Sequence, residues 1–559
     1  MKNYRKSIFL IFFFPNVLIS QITSTVNELF LSKDQPVPKV LVKATREFRE
    51  RLLSDPFRPA YHFAISEDNA YPGDPNGAFY YNGRYHLMYL YNREGRGFCW
   101  GHVSSKDLLH WRHHPDALAP GNGDEGVFSG GAFVDDDGSA ILSYWMLWGN
   151  KGIGLAKSTD INFDNWKKLE NNPIIKSTEW GITDLKNSVG EEMHIGSADP
   201  SNIWKKNGKY YLLTGNLLVL RKYGSRGIGL PGNPDDGMPL PLDSVKYQGD
   251  HLYLFKSDNL KDWKYQHEFY TSDRKWTSKT EDNMCPSFLP LPASANGGKF
   301  SGKHLLLFIS HNKGCQYYIG DYKKDEFFPT THGRMTWNDN AYFAPEALID
   351  NKGRQIMWSW IFDDRPDSVK LFSGWSGTYG LPRSLWVGAD GTLRIQPIKE
   401  LENLRQAVKE KKNFSIKADS EIELNGFGKE LNELEITLDP SSSEKIGIKV
   451  ACSENGKEYT SIYYNVKEKK LVIDATKSSL GYGRKIIEEA PLSLSTGERL
   501  KLRVFVDKSI IEVFANDKQA ISRNIYPTLG GTGIKLFSKG ANANVISIKA
   551  WELIPSNPY

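Results

Sequence analysis

Four short segments place carboxylates just ahead of, or within, apolar runs that read as β-strands. They are Asp74-Pro75-Asn76-Gly77, Asp199-Pro200 before Ile203-Trp204, Glu281-Asp282 before Cys285-Pro286-Ser287-Phe288, and Glu346 between Pro345 and Ala347. Pro fixes φ and Gly permits a sharp reversal, so Asp-Pro-Asn-Gly taken alone is an ordinary turn. The recurrence of carboxylates at matching places gives it chemical weight. Cleavage of a glycosidic bond needs one carboxylate as nucleophile or base, one carboxylic acid to protonate the leaving oxygen, and often a third group on the sugar hydroxyls.

Those carboxylates have to be carried to one place by the fold. From residue 78 to about 360 the chain consists of short apolar-aromatic runs split by turns centred on Asn82-Gly83, Asp137-Gly138, Asn207-Gly208, Ser301-Gly302 and Lys352-Gly353. Asn-Gly and Asp-Gly supply the positive φ of a two-residue hairpin. A second motif recurs between them: Ser105-Lys106-Asp107-Leu108 leads to Trp111, Ser158-Thr159-Asp160 to Trp166, and Ser257-Asp258-Asn259-Leu260 to Trp263. Repeated strand sets with a fixed Trp argue for radial repetition, and five hairpins for a five-bladed β-propeller, in which strand starts converge on the central axis. Periodicity alone also fits a β-sandwich; the repeats favour the propeller. Beyond a charged, helical linker at 397–411, the alternation in 500–506 and 510–514 gives one-sided burial and predicts a C-terminal β-sandwich over 412–559.

The chain has 559 residues, with 71 Lys and Arg against 66 Asp and Glu. Near balance with no basic block argues against nucleic acid as a partner. Lys2, Arg5 and Lys6 precede a short apolar run from Ile8 to Pro15, with small Ser20 before Gln21, which reads as a signal peptide over 1–20 and predicts export to periplasm, cell surface or medium, with no membrane attachment after cleavage. Residues 21–57 read as a helical lead-in stopped by Asp55-Pro56. Four Cys in so long a chain make no disulfide framework and fit no zinc spacing. His110, His113 and His114 read as strand or surface residues, and Asp135–Asp137 as a solvated turn tip; no metal or other cofactor is expected. Aromatics make up 13% of the chain, and a few of them suit stacking on sugar faces.

The order and spacing of these motifs resemble glycoside hydrolase family 32, the invertases, levanases and inulinases. The resemblance rests on Asp74-Pro75-Asn76-Gly77, Trp100-Gly101-His102, Phe128-Ser129-Gly130, Ala198-Asp199-Pro200, Cys285-Pro286, Gly374-Trp375-Ser376-Gly377, Leu381-Pro382-Arg383 and the 507–514 segment. It implies an all-β catalytic propeller over 58–396 and a retaining mechanism. Asp74 would attack the anomeric carbon of a fructofuranosyl unit and Asp199 would hold its hydroxyls. Trp100, Phe128, Ser129, Asn76 and Trp375 would line the sugar pocket. Three positions depart from the family's pattern: Gly73 stands for Asn, Ala198 for Arg, and Met284 for the Glu that serves as acid and base.

Met cannot transfer a proton. The resemblance to relatives that carry Glu-Asp-x-x-Cys-Pro implies that a rearranged loop brings Glu281 into the acid's place, with its carboxyl about 5–5.5 Å from that of Asp74 and its pKa raised; Asp282 stands beside it, and Glu346 is the reserve. The expected activity is retaining hydrolysis of β-fructofuranosyl linkages in sucrose or fructans, the partner being a fructose-containing oligo- or polysaccharide. The alternatives are a related furanoside hydrolase or fructosyltransferase, or a carbohydrate-binding protein on the same scaffold.

Overall fold

The computed structural model of the chain describes residues 39–65, 70–179, 181–187, 189–216, 219, 249–272, 275–440 and 443–557. The expected signal peptide and the first part of the lead-in lie outside them. The remainder of the lead-in is one helix, Lys39–Ser54, which ends where Asp55-Pro56 follows. Among the described residues no helix is long and apolar enough to cross a membrane.

Residues 55–559 form one compact unit of β-structure. Among the described residues between 75 and 397, five sheets have four or more strands each, connected antiparallel and nearly in sequence order. Sheet 1 starts with Pro75–Tyr81, sheet 3 with Trp204–Lys206, sheet 4 with Met284–Pro292 and sheet 5 with Tyr342–Ile349. The first strand of sheet 2 is broken into Val127–Phe128 and Ala132–Val134, both paired with Ala140–Met146. The sheets close into a ring as a β-propeller, in which each sheet is bonded to the next. Gly77 N–H donates to the Gly130 carbonyl, and Ser143 Oγ to that of Ser201. The Asn202 amide bonds both backbone groups of Phe288. Asn340 Nδ2 donates to the His311 carbonyl, and Ala78 N–H to Glu346 Oε1 at 2.7 Å.

Asn82-Gly83 and Asn207-Gly208 carry positive φ at both turn residues, as tight hairpins require. The Ser301-Gly302 turn is not one: both residues lie within strand Phe300–Ser310, and the reversal is made by 293–299 with Gly297 and Gly298 at positive φ. The repeated Ser/Asp/Trp motif is the loop before the outermost strands of sheets 1 to 3. Asp107, Asp160 and Asn259 accept backbone N–H groups two to five residues ahead, and Leu108, Phe163 and Leu260 take positive φ.

The helical linker expected at 397–411 is shorter. Only Lys399–Leu404 forms a 3₁₀ turn, and Arg405–Ile416 is already an edge strand of the sandwich, paired with Ala543–Leu553. The strand is exposed along most of its length, so its run of charges meets water on both faces, a pattern that a charged helix shares. Two six-stranded sheets then face each other across a core that includes Leu434, Ile436, Ile448, Val504 and Leu536.

Propeller and sandwich are joined by buried charge. Asp507 accepts the N–H groups of Ala60, Tyr61 and His62 and lies 2.8 Å from His62 Nδ1. Glu512 bonds Leu381 N–H and Arg383 and lies 3.3 Å from His62 Nε2. Burial opposes the charge on His62, but bonds to Asp507 and Glu512 outweigh it and push the imidazole up to about 9 from its usual 6.5. A raised folded-state pKa contributes stability in full below the unfolded value and loses it as pH rises through the folded one. The thermal midpoint is therefore expected to fall between pH 6.5 and 9, and the fall is expected to disappear in His62→Leu. Asp507→Ala strands a buried imidazolium and three amides and is expected to cost on the order of 3–5 kcal/mol in denaturant unfolding.

Candidate active site

At the inner end of the sheets the strands do not run straight. Gly77, Asp199, Cys285 and Ala344 all have positive φ, and in sheets 1, 4 and 5 the pairing slips there, between Asn76 and Phe79, Met284 and Ser287, and Phe343 and Glu346. Such bulges re-aim a side chain and free backbone groups. At Gly77 the conformation is coupled to space: a Cβ would come 3.1 Å from Leu142 and 3.3 Å from Trp100. Freed groups are recaptured by neighbouring sheets, as Ala78 N–H is by Glu346.

The bulges bring Asp74, Asp199 and Cys285 together. The Cys285 thiol lies 3.4 Å from Asp199 Oδ2 and 3.9 Å from Asp74 Oδ2, so it bridges the two carboxylates. Ser129 Oγ donates to Asp74 Oδ2 at 2.5 Å. Both carboxylates are buried, and Oδ1 of each accepts no hydrogen bond among the described residues. Burial pushes Asp74 up to about 6, against bonds from Ser129 and Cys285 and the field of His311, which favour its charge. Burial and the neighbouring Asp74 charge push Asp199 up to about 7. Both carboxyls are thus pushed above the usual carboxylate range, Asp199 further than Asp74, as expected of two carboxyls sharing a dry pocket.

Asn76 positions this pair. Its Nδ2 donates to the Asp74 carbonyl and its Oδ1 accepts Gly130 N–H, tying the Asp74 turn to the loop that carries Ser129. Phe128 is half-buried beside Ser129; its ring meets Phe98 edge-to-face at 5.2 Å, and Phe98 stacks on Trp148 at 5.8 Å. Trp148 is 44% exposed, so an aromatic row runs from the pocket edge to the surface.

Several expected site residues are elsewhere or do other work. Trp100 is fully buried and donates from Nε1 to the Phe128 carbonyl, supporting the Ser129 loop from beneath instead of facing a sugar. Trp375 is turned into the fold, with Nε1 on Asp55 at 2.6 Å and the Arg365 guanidinium 3.8 Å from its ring centre. Glu346 braces sheet 1 through Ala78.

Glu281 does not have the raised pKa an acid needs. Despite burial, a bidentate pair with Arg334 at 2.8 and 2.9 Å and a bond from Gln316 hold its carboxyl below the usual range. Asp282 accepts His311 N–H at 2.8 Å and lies 2.6 Å from His311 Nδ1. Both Asp74 and Asp199 act on the His311 imidazole through their fields. His311 was not among the expected site residues; the signal for it is its place just past the apolar strand run 305–310, opposite Asp282. The histidines of sheet 1 form a separate chain, His86 to His102 at 2.9 Å, with His114 stacked on His102 and held by Asp164.

The chain matches known proteins along most of its length. Residues 62–224 and 243–397 match the Glycosyl hydrolases family 32 N-terminal domain, and 400–552 the Glycosyl hydrolases family 32 C terminal. The chain is 28% identical over 542 residues to a levanase of Bacillus subtilis, covering 89% of this chain and 72% of the levanase. It is 27% identical over 558 residues to a sucrose-6-phosphate hydrolase of Zymomonas mobilis, covering 94% and 98%. The fold is similar to that of fructan 1-exohydrolase IIa from Cichorium intybus at a TM-score of 0.73 and 22% identity, covering 90% and 98%.

Removing Ser129 Oγ withdraws a bond that favours ionised Asp74. Ser129→Ala is therefore expected to raise the Asp74 pKa, so that labelling of Asp74 by a water-soluble carbodiimide, which requires the protonated acid, persists to higher pH in peptide mass spectrometry.

Proposed function

The chain belongs to glycosyl hydrolase family 32, and from that premise we propose that it hydrolyses β-fructofuranosyl linkages in sucrose or fructans with Asp74 as nucleophile. The observation that carries the reading is the buried pair of Asp74 and Asp199, each with Oδ1 unpartnered among the described residues. In this reading Asp74 attacks the anomeric carbon and the bond to the leaving oxygen breaks. A covalent fructosyl-enzyme forms, and water then releases fructose with retention. Asp199 hydrogen-bonds ring hydroxyls and, as a carboxylate, offsets positive charge as the oxocarbenium-like transition state develops.

The aromatic row from Phe128 through Phe98 to Trp148 supports a substrate longer than one ring, since each face can stack on a further sugar unit. A basic and then apolar N-terminal segment over 2–15 supports export of the enzyme. One observation favours a second reading, binding with little turnover: Met284 stands where the family resemblance expects the acid, and Glu281 is committed to Arg334.

One assay separates the two: fructose release from sucrose, inulin and levan. Wild type is expected to turn over, with kcat/KM rising as pH passes through about 6. Asp74→Asn is expected to lose at least about 10³-fold. A wild type that binds these sugars without releasing fructose would replace the hydrolase by the binding protein. Trp148→Ala is expected to raise KM several-fold on inulin or levan and leave sucrose nearly unchanged.

A further inference from the structure

If Asp74 is a nucleophile, something must protonate the leaving oxygen. Met284 has no proton to give, and its side chain is turned into the fold: a Cβ on Gly215 would lie 2.9 Å from its sulfur. Glu281 is held as an anion by Arg334. The strand pairing points to another group. Met284 pairs with Ile309 across sheet 4, so beyond that pair Asp282 and His311 come opposite each other at the inner rim. They are joined twice, His311 N–H to Asp282 Oδ1 at 2.8 Å and Nδ1 to Oδ2 at 2.6 Å, while Ser310 Oγ donates to the Asp282 carbonyl.

Asp282 is nearly fully buried, whereas the His311 side chain keeps 15% of its surface exposed. The ring is set edge-to-face on Phe343 at 5.6 Å. With Nδ1 donating to Asp282, Nε2 is the ring nitrogen left to meet a ligand. Among the described residues the charged groups that chiefly act on the imidazole are Asp282, Asp199 and Asp74, all carboxylates; burial opposes the imidazolium, and together they outweigh it.

We propose that His311, fixed by Asp282, is the proton donor and acceptor of the reaction, in the place where the family resemblance calls for a Glu. The inference rests on the fructofuranosidase reading above. In the first half, Asp74 Oδ1 bonds to the anomeric carbon, the bond to the leaving sugar oxygen breaks, and the His311 Nε2 proton goes to that oxygen. In the second half, neutral His311 takes a proton from water, the water oxygen bonds to the anomeric carbon, and the bond to Asp74 breaks. Asp74 returns as carboxylate and His311 as imidazolium. The pairing of an imidazole with a buried carboxylate fixes the tautomer and ring orientation, as it does wherever His moves protons.

The experiment compares sucrose, whose leaving oxygen needs a proton, with p-nitrophenyl β-D-fructofuranoside, whose leaving group does not. His311→Gln is expected to lower kcat on sucrose at least about 100-fold and to spare bond cleavage in the aryl substrate, seen as a retained burst of nitrophenol. Azide is expected to restore its steady-state rate on the aryl substrate. Asp282→Asn removes the carboxylate that keeps His311 charged, so the alkaline limb of the sucrose pH profile is expected to move to lower pH. Glu281→Gln is expected to affect both substrates alike.

Equal losses on both substrates in His311→Gln, an unmoved alkaline limb in Asp282→Asn, or a leaving-group-dependent loss in Glu281→Gln would overturn the assignment. Full activity of Asp74→Asn on the aryl substrate would instead overturn the nucleophile, and with it the reading on which this rests.

Discussion

Two carboxylates, Asp74 and Asp199, lie buried side by side in this fold with a thiol between them, and among the described residues no Lys or Arg stands with the groups that chiefly set their charge. Water would solvate both far better, so the arrangement persists only if the surroundings forbid the alternatives. Much of the propeller's inner rim does that work. The first strands cannot simply run on toward the axis, because a regular ladder would alternate the side chains away from it. In sheets 1, 3, 4 and 5 a residue at positive φ lies in the first strand or just ahead of it, and two of those four residues, Asp199 and Cys285, are themselves in the pocket. Backbone strain at a non-Gly residue costs on the order of 1–3 kcal/mol and is kept only where packing over-determines it.

What over-determines it is the closure of the ring. The links between sheets are not apolar contacts alone but single polar bonds at or near the bulges: Gly77 to Gly130, Asn76 to Gly130, Ala78 to Glu346, Asn340 to His311. At Gly77 and Ala78 the groups the bulge frees are taken up by the adjacent sheets, so these bonds hold neighbouring sheets in register. Glu346 illustrates how a carboxylate can recur at a matching place without touching the chemistry: burial raises its pKa well above the usual range, and it accepts a backbone N–H of the strand that presents Asp74.

The architecture was legible in the sequence because it is periodic. Gly turns after Asn, and the Ser/Asp/Trp loops, are local signals read within a few residues, and the alternation of 500–514 reports one buried face whatever packs on it. Asp74 and Asp199 were legible because carboxylates recur ahead of successive strands and because both match motifs of the family the chain resembles. The rest depended on partners far away in sequence. Nothing near Glu281 announces Arg334, 53 residues on, whose guanidinium turns a candidate acid into a fixed anion. Trp100 and Trp375 carry the right chemistry for a sugar face, but which face of a strand or loop looks inward is decided by pairing, and here it sends both under the pocket or away from it. Ser301-Gly302 failed as a turn because Gly297 and Gly298, four residues earlier, close the hairpin first.

The sandwich extends the same logic outward. Asp507 grips the chain at 60–62 just before it enters the propeller, and Glu512, three residues beyond the next turn, grips 381–383 where the last sheet resumes. A propeller is closed by bringing its first and last elements together, and here Tyr379 N–H donates to the Phe63 carbonyl beside these same clamps. Two anions on adjacent strands of the sandwich therefore hold both ends of the ring, with His62 shared between them. Since Ile65, Ala70 and Ser376 continue from these clamped segments to the turn bearing Asp74, the second domain acts on the pocket without lending it a side chain, by fixing where the ring begins.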